Sequence, residues 1–411
     1  MLRTFQAPIY FVVGIVLLAL VLRTWFVMGV IEPVTVAGSS MAPALRGSFA
    51  VATCPACESS FEVGAEFANQ TDFGACPHCG LTSVPLDSLA IRRGDRLWID
   101  RTVFERRQPR RWEVVVLRQP DQGDQLCVKR VVALPGETVR LSGGDVWVNG
   151  QPVAKSLAEQ SALRRLVHRA DGNPKRWTPA EGGNWQWVDG AWRRASETSP
   201  GFDWLRYRHV RQRPITDDVA YNAGISRQLE LARDLMLSTV IQLQGEGDFA
   251  LELADGCRQL LVTICTTDRS VTLAENGKQV LMQPLSTHAA RRLSQGTVSL
   301  MFTNFDRQLL LVLDGQIELH YQLDEAPCRT GSGQPLAIGA RRLDISLREL
   351  TVYRDTHYTA APLGALEPKS PLQLGKDQYF VLGDNPPVSI DSRVWGPVPG
   401  RLLLGAPLGV R

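Results

Sequence analysis

The chain has 411 residues, enough for two or three domains with ordinary cores. An apolar fraction of 44% and a charged fraction of 21% exclude a disordered or fibrous protein. A formal net charge of +3 is too small to indicate nucleic acid or a strongly acidic partner, so function has to be read from motifs.

Residues Ile9 to Leu22 form an unbroken apolar run, followed by Arg23, Thr24 and a second run from Trp25 to Ile31. Together they reach about 23 residues, enough to cross a ~30 Å hydrocarbon core at 1.5 Å per residue. Arg23 is tolerated if it snorkels to the headgroups beside Trp25. The expectation is one N-terminal membrane anchor over 1–31, because no clear small-x-small cleavage site follows the run.

A short strand-like segment, 34–47, comes next and contains AGSSMAPALRG. Gly38 and Pro43 constrain the backbone on either side of Ser40. A serine held this way is presented to an extended chain, although serines beside Gly and Pro are more often plain turn residues. CPAC at 54–57 and CPHC at 76–79 then mark a module over 48–88. Two C-x₂-C pairs at this separation predict a closed structural Zn²⁺ site built from Cys54, Cys57, Cys76 and Cys79. Two disulfides are the alternative in an oxidising compartment.

A strand-rich block covers 91–153, with strands predicted at Arg96–Ile99, Val114–Leu117, Gln125–Ala133, Thr138–Leu141 and Val146–Asn149. Strand alternation puts Cys127, Lys129, Val131 and Ala133 on one face, so Lys129 has apolar neighbours there. A free Lys is only about one part in 2,500 neutral at pH 7, and burial lowers its pKa toward that of a usable base. A Lys that snorkels from an edge strand is the bland alternative.

The long segment 155–360 begins with an Arg- and Trp-rich stretch holding Trp177, Trp185, Trp187, Trp192 and Trp204. These read as buried aromatic strands or as a sugar-stacking surface. Seven short strands between about 235 and 355 predict a β-sandwich. Their rhythm is similar to that of concanavalin-like and laminin-G-like jelly rolls, which implies either a spacer or a module with a glycan or protein ligand. In the tail, 371–411, Gly383-Asp384-Asn385 reads as a tight turn. Ser389, Asp391 and Arg393 then alternate on one face of an extended segment, with Asp391 and Arg393 as an ion pair. Ser389 is placed to hold a Lys ammonium by a hydrogen bond.

Taken in order, these pieces resemble the type I signal peptidases. The resemblance is carried by Ser40-Met41-Ala42-Pro43 after an anchor and by GDRLWIDR (94–101) and WEVVVLRQP (112–120). It continues in the Lys129-Arg130 strand ending in Leu134-Pro135-Gly136 and in Gly383-Asp384-Asn385 with Ser389, Asp391, Ser392 and Arg393. It implies Ser40 as nucleophile, Lys129 as general base and Ser389 as the serine that steadies the Lys. It also implies no cofactor for catalysis, and cleavage of exported preproteins after small residues through an acyl-enzyme. Val34, Val36, Met41 and Leu45 would shape pockets for small apolar side chains. The location implied is the cytoplasmic (inner) membrane, single-pass, with the catalytic domain on the extracytoplasmic side.

The predicted fold is therefore mainly β: a membrane helix, then a catalytic domain split into 34–47, 91–153 and 371–411 by a zinc ribbon and a β-sandwich. Two departures stand out. Gly38 replaces a serine that assists the oxyanion hole in some members, which leaves the Ser40 backbone N–H as chief donor. Pro386-Pro387 stands where Arg often follows Gly-Asp-Asn, which puts one supporting ion pair in question. The alternative function is a membrane-tethered glycan- or protein-binding protein on an inactive protease scaffold; intact Ser40, Lys129 and Ser389 argue against it.

Overall fold

The computed structural model describes residues 6–23, 30–121, 123–170, 174–195, 201–223, 225–254, 256–324, 330–358 and 371–410. The first helix runs Gln6–Val21, and its side chains from Tyr10 to Val21 are exposed. At 1.5 Å per residue its 16 residues span about 24 Å. Among the described residues no helix is long and apolar enough to cross a membrane. The predicted anchor is longer than this helix, and its residues 1–5 and 24–29 lie outside the described residues.

The segments 31–35, 96–133 and 378–407 together form one unit built on a seven-stranded sheet. Its order is Ile31–Thr35, Arg96–Asp100, Leu403–Pro407, Val114–Arg118, Leu126–Ala133, Gln378–Leu382 and Val398–Pro399. The two central strands, VVVLR and LCVKRVVA, are rich in β-branched residues. Val115, Leu117, Val131, Val132 and Ala133 are fully buried there. Ile31–Thr35 is an outer strand of the sheet, paired antiparallel with Arg96–Asp100 on one side. A four-stranded sheet of Gln151–Pro152, Asp145–Val148, Thr138–Ser142 and Leu372–Gln373 joins the two halves of the unit. Five predicted strands of the 91–153 block are present to within one or two residues at each end.

The cysteine module opens with a hairpin, Phe49–Thr53 against Ser60–Gly64. A second, minimal hairpin pairs Phe73–Gly74 with Val84–Pro85. Each hairpin accompanies one C-x₂-C knuckle.

The long insertion is a two-sheet sandwich of eight and seven strands, more than the seven strands predicted in all. One difference is the run 308–319, which folds back at Asp314-Gly315 into the strands Gln308–Leu313 and Gln316–Gln322. Another is the Trp-rich stretch, which supplies strands to both sheets. Trp177, Trp185 and Trp192 are buried in the sandwich core with Tyr207, Phe249 and Phe302. Burial of these three indoles excludes them from a sugar-stacking surface. Cys257 is disulfide-bonded, whereas Cys127 and Cys265 are free thiols.

Candidate active site

The loop that carries Ser40, 36–48, folds back on itself. Val36 N–H donates to the Asp95 carbonyl at 2.9 Å, Leu45 N–H to the Met41 carbonyl at 2.9 Å, and Ser48 N–H to the Ala37 carbonyl at 3.3 Å. Arg46 clamps its outer end through Asp95 and Glu62, each at 2.8 Å. Val36, Met41 and Leu45 pack with Leu97 and Val114 in one apolar cluster, and Val34 packs partly buried against it. Of the four residues expected to shape substrate pockets, Val36, Met41 and Leu45 are thus buried in this cluster, and Val34, on the outer strand, is partly exposed.

Ser40 is half-buried at the head of this loop. Lys129 reaches it from the central strand Leu126–Ala133 and is only 3% exposed. Lys129 Nζ donates to Ser40 Oγ at 2.8 Å across 89 residues of sequence. Burial lowers the Lys129 pKa, outweighing Cys127, Asp391 and Asp384, which favour the cation. The Trp395 ring lies 5.9 Å from the ammonium nitrogen.

The tail is bolted beside this pair. Arg130, the neighbour of Lys129, points to the other face and forks onto Asp384 at 2.8 and 2.6 Å. Both are essentially unexposed. Burial alone would raise the Asp384 pKa, but the Arg130 guanidinium, with Arg165 behind it, holds the carboxyl below the usual carboxylate range. Arg165, from the first sandwich strand, also donates to the Asp384 carbonyl at 2.5 Å. Asn385 N–H donates to the Ser40 carbonyl at 2.9 Å, and its Nδ2 donates to the Ser39 carbonyl at 3.0 Å.

Gly383 permits this approach: a Cβ there would sit 2.5 Å from the Ser40 carbonyl oxygen and 2.1 Å from Ser389 Oγ. Ser389 is thus brought to the site and fully buried, but among the described residues its hydroxyl has no hydrogen-bond partner, Lys129 included. The tail is not the extended segment expected: Ser389 N–H closes a turn onto the Asn385 carbonyl at 3.1 Å, and a helical turn begins just past Asp391. That residue caps a short helix, Ser392–Trp395, by accepting from the Arg393 N–H at 3.2 Å. The Asp391–Arg393 ion pair is present at 2.7 Å. Arg393 Nη2 also donates to the Pro386 carbonyl at 2.9 Å.

Cys54, Cys57, Cys76 and Cys79 converge, with all four Sγ atoms within 4.8 Å of one another. The Cys54–Cys79 and Cys57–Cys76 sulfurs are 3.5 and 3.7 Å apart. A tetrahedral ZnS₄ centre with bonds of about 2.3 Å has S–S edges of roughly 3.8 Å, so the donor set and spacing fit zinc. These distances are far from the ~2.05 Å of a disulfide. The module packs on the catalytic tail through Val388. Removing zinc with a strong chelator under reducing conditions is expected to melt the module selectively, which thiol titration and proteolysis within 48–88 would detect. Four thiols that stay protected after metal removal would count against the zinc assignment.

Sequence reasoning missed Asp384's partner Arg165, and it missed Asn222, whose amide pairs with that of Asn385. Both lie in the insertion, and no local motif marks them.

Comparison with known proteins matches part of the chain, and the family match lies outside the segment that carries Ser40. The family described as "Signal peptidase, peptidase S26" matches residues 86–188 and 332–407, which include Lys129, Asp384 and Ser389. A signal peptidase I of Leptolyngbya laminosa is 33% identical over 85 residues, covering 18% of this chain and 42% of that protein. A signal peptidase I of Pseudomonas fluorescens is 40% identical over 68 residues, covering 16% and 24% respectively. The chain spans less than half the length of these curated relatives. Among solved structures, a carbohydrate-binding module CBM66 from Bacillus subtilis aligns at TM-score 0.28 and 12% identity, over 43% of this chain and 94% of that one. An endo-β-1,3-glucanase from Pyrococcus furiosus aligns at TM-score 0.32 and 11% identity, over 55% and 100%. Likenesses at these scores carry no argument about a ligand. By its base strand and its Gly383–Arg393 tail, the chain resembles the type I signal peptidases of the S26 family.

Proposed function

We propose that the chain is a membrane-anchored serine endopeptidase that removes signal peptides from exported preproteins after small residues. The observation that carries this reading is the 2.8 Å contact between Lys129 Nζ and Ser40 Oγ, made by a Lys withdrawn from water.

Neutral Lys129 accepts the Ser40 hydroxyl proton as Oγ attacks the scissile carbonyl. The protonated amine then returns the proton to the leaving amine, and an acyl-enzyme is left on Ser40. A water enters, Lys129 takes its proton, and the ester is hydrolysed. The Ser40 backbone N–H is the donor assigned to the oxyanion. Ser389 steadies Lys129 once substrate closes the site and its hydroxyl gains a partner.

The free side of the outer strand Ile31–Thr35 suits an extended substrate that adds as a further strand. Val34, partly exposed on this strand and packed against the buried Val36, Met41 and Leu45, suits contact with small apolar side chains. The exposed apolar helix Gln6–Val21 enters the bilayer and holds the site at its surface. A disulfide at Cys257 suits an oxidising, extracytoplasmic side. Catalysis needs no cofactor; zinc serves the cysteine module alone.

The pH profile tests the base. An amine must be neutral to accept the proton, so kcat/KM is expected to rise as pH climbs through the lowered Lys129 pKa. The rising limb then lies below the ~10.4 of a free Lys. A limb that tracks a free Lys, or a rate that falls over the same range, would defeat Lys129 as base.

A further inference from the structure

We infer that the inserted sandwich domain supplies positioning residues for the catalytic centre, Asn222 above all, which hold the nucleophile loop through Asn385. The inference rests on the Ser40–Lys129 reading and adds to it a residue outside the segments that match the signal peptidase family.

The helical turn Ala220–Asn222 belongs to the insertion but lies against the protease. Asn222 is 8% exposed and Asn385 is fully buried. Their amides pair reciprocally, each Nδ2 donating to the other's Oδ1 at 2.7 Å. Asn385 Nδ2 also donates to the Ser39 carbonyl at 3.0 Å, and Asn385 N–H donates to the Ser40 carbonyl at 2.9 Å. The Ser39 carbonyl fixes which way the Asn385 amide faces, because the flipped amide would set oxygen against oxygen. Asn222 therefore reads and locks an orientation that the nucleophile backbone requires.

The neighbouring residue grips the other end of the same loop. Tyr221 is 3% exposed and donates its hydroxyl to the Gly47 carbonyl at 3.2 Å. Its ring packs with Ala42 of the loop and Phe49 of the cysteine module. Gly64 of that module closes the remaining side: a Cβ there would lie 2.8 Å from both Ser39 Oγ and the Tyr221 ring. The loop carrying Ser40 is thus enclosed by the tail, the cysteine module and one turn of the insertion. Neither Asn222 nor Tyr221 touches the reacting atoms, so their contribution is to keep Ser40 Oγ within reach of Lys129.

The test uses the full chain, with Asn222→Ala and the isosteric Asn222→Asp. The Asp variant keeps an acceptor for Asn385 Nδ2 but loses the donor to Oδ1. With a preprotein substrate, Asn222→Ala is expected to lower kcat by about 10–100-fold with KM unchanged, the scale of a small misplacement of a catalytic group. Asn222→Asp, which sets a buried carboxylate oxygen against Asn385 Oδ1, is expected to lose at least as much. Amide hydrogen exchange should quicken over 38–48 and stay unchanged in the sandwich strands of 235–254. A kcat equal to the parent's, a loss confined to KM, or exchange that rises throughout the chain would overturn the inference. A parent chain that cleaves nothing defeats the dyad reading instead. Exchange over 38–48 then decides the positioning by itself, and an unchanged rate there sinks it.

Discussion

Lys129→Met is expected to lower preprotein processing by at least about 10²–10⁴-fold, the contribution of a general base, while the chain stays folded. Methionine has nearly the length of lysine and suits the apolar surroundings provided by Cys127, Val131 and the Trp395 ring. The native amine is 3% exposed, and burial disfavours its charge. Removing it removes that penalty, so the Tm of the variant should equal or exceed that of the parent. Lys129→Arg separates charge from basicity. A guanidinium does not deprotonate in proteins, so this variant should be as inactive as the methionine variant despite its cation. Processing retained in either variant, measured by the rate of mature-protein release, would contradict the assigned role.

Asp384→Ala is expected to have the largest effect on stability, a loss of about 3–5 kcal/mol, because breaking a buried pair leaves its partner charged and unpaired. Arg130, 1% exposed, would lose both of its hydrogen bonds to the carboxylate. It would keep only the Trp112 carbonyl at 2.6 Å. The same pair predicts an acid limb. The folded-state pKa of Asp384 lies below its unfolded value, so its stabilisation is fully present above the ordinary carboxylate pKa of ~3.9. That stabilisation is lost as pH falls below this value through the depressed pKa. Urea unfolding between pH 7 and pH 3 should show the limb in the parent and a shallower one in Asp384→Asn. Identical acid limbs would remove Asp384 from the account.

Much of the catalytic unit was legible because its signals are local. Lys129 could be placed on an apolar strand face from alternation alone, and the structure buries it. The C-x₂-C pairs announced a converged cysteine set because ligand spacing follows knuckle geometry. The Asp391–Arg393 pair was legible, but not the helical turn, since Ser392–Trp395 is too short to show a period. The sandwich was legible as a class and undercounted in strands. Leu336–Arg341, with its Gly and Ala, lacks the β-branched pattern that marks a strand, and Lys278–Pro284 is a largely exposed outer strand.

What could not be read was the dependence between modules. Arg165 meets Asp384 across 219 residues, and Asn222 meets Asn385 across 163. Lys155 is buried between Asp306 and Asp355, the latter at 2.7 Å, where the insertion leaves the catalytic unit. Its pKa is raised: the penalty of burial is outweighed by these two carboxylates. None of these residues has a neighbour in sequence that foretells its partner. The fold ties both insertions to the loop that carries Ser40 and to the tail.

The most direct measurement of the central claim is cleavage of a preprotein by the purified full chain in lipid vesicles, beside Ser40→Ala. The account predicts release of mature protein by the parent, with its new N-terminus following a small residue, and no release by Ser40→Ala. A parent that leaves the preprotein intact, or a Ser40→Ala chain that processes it at the parental rate, would contradict the account.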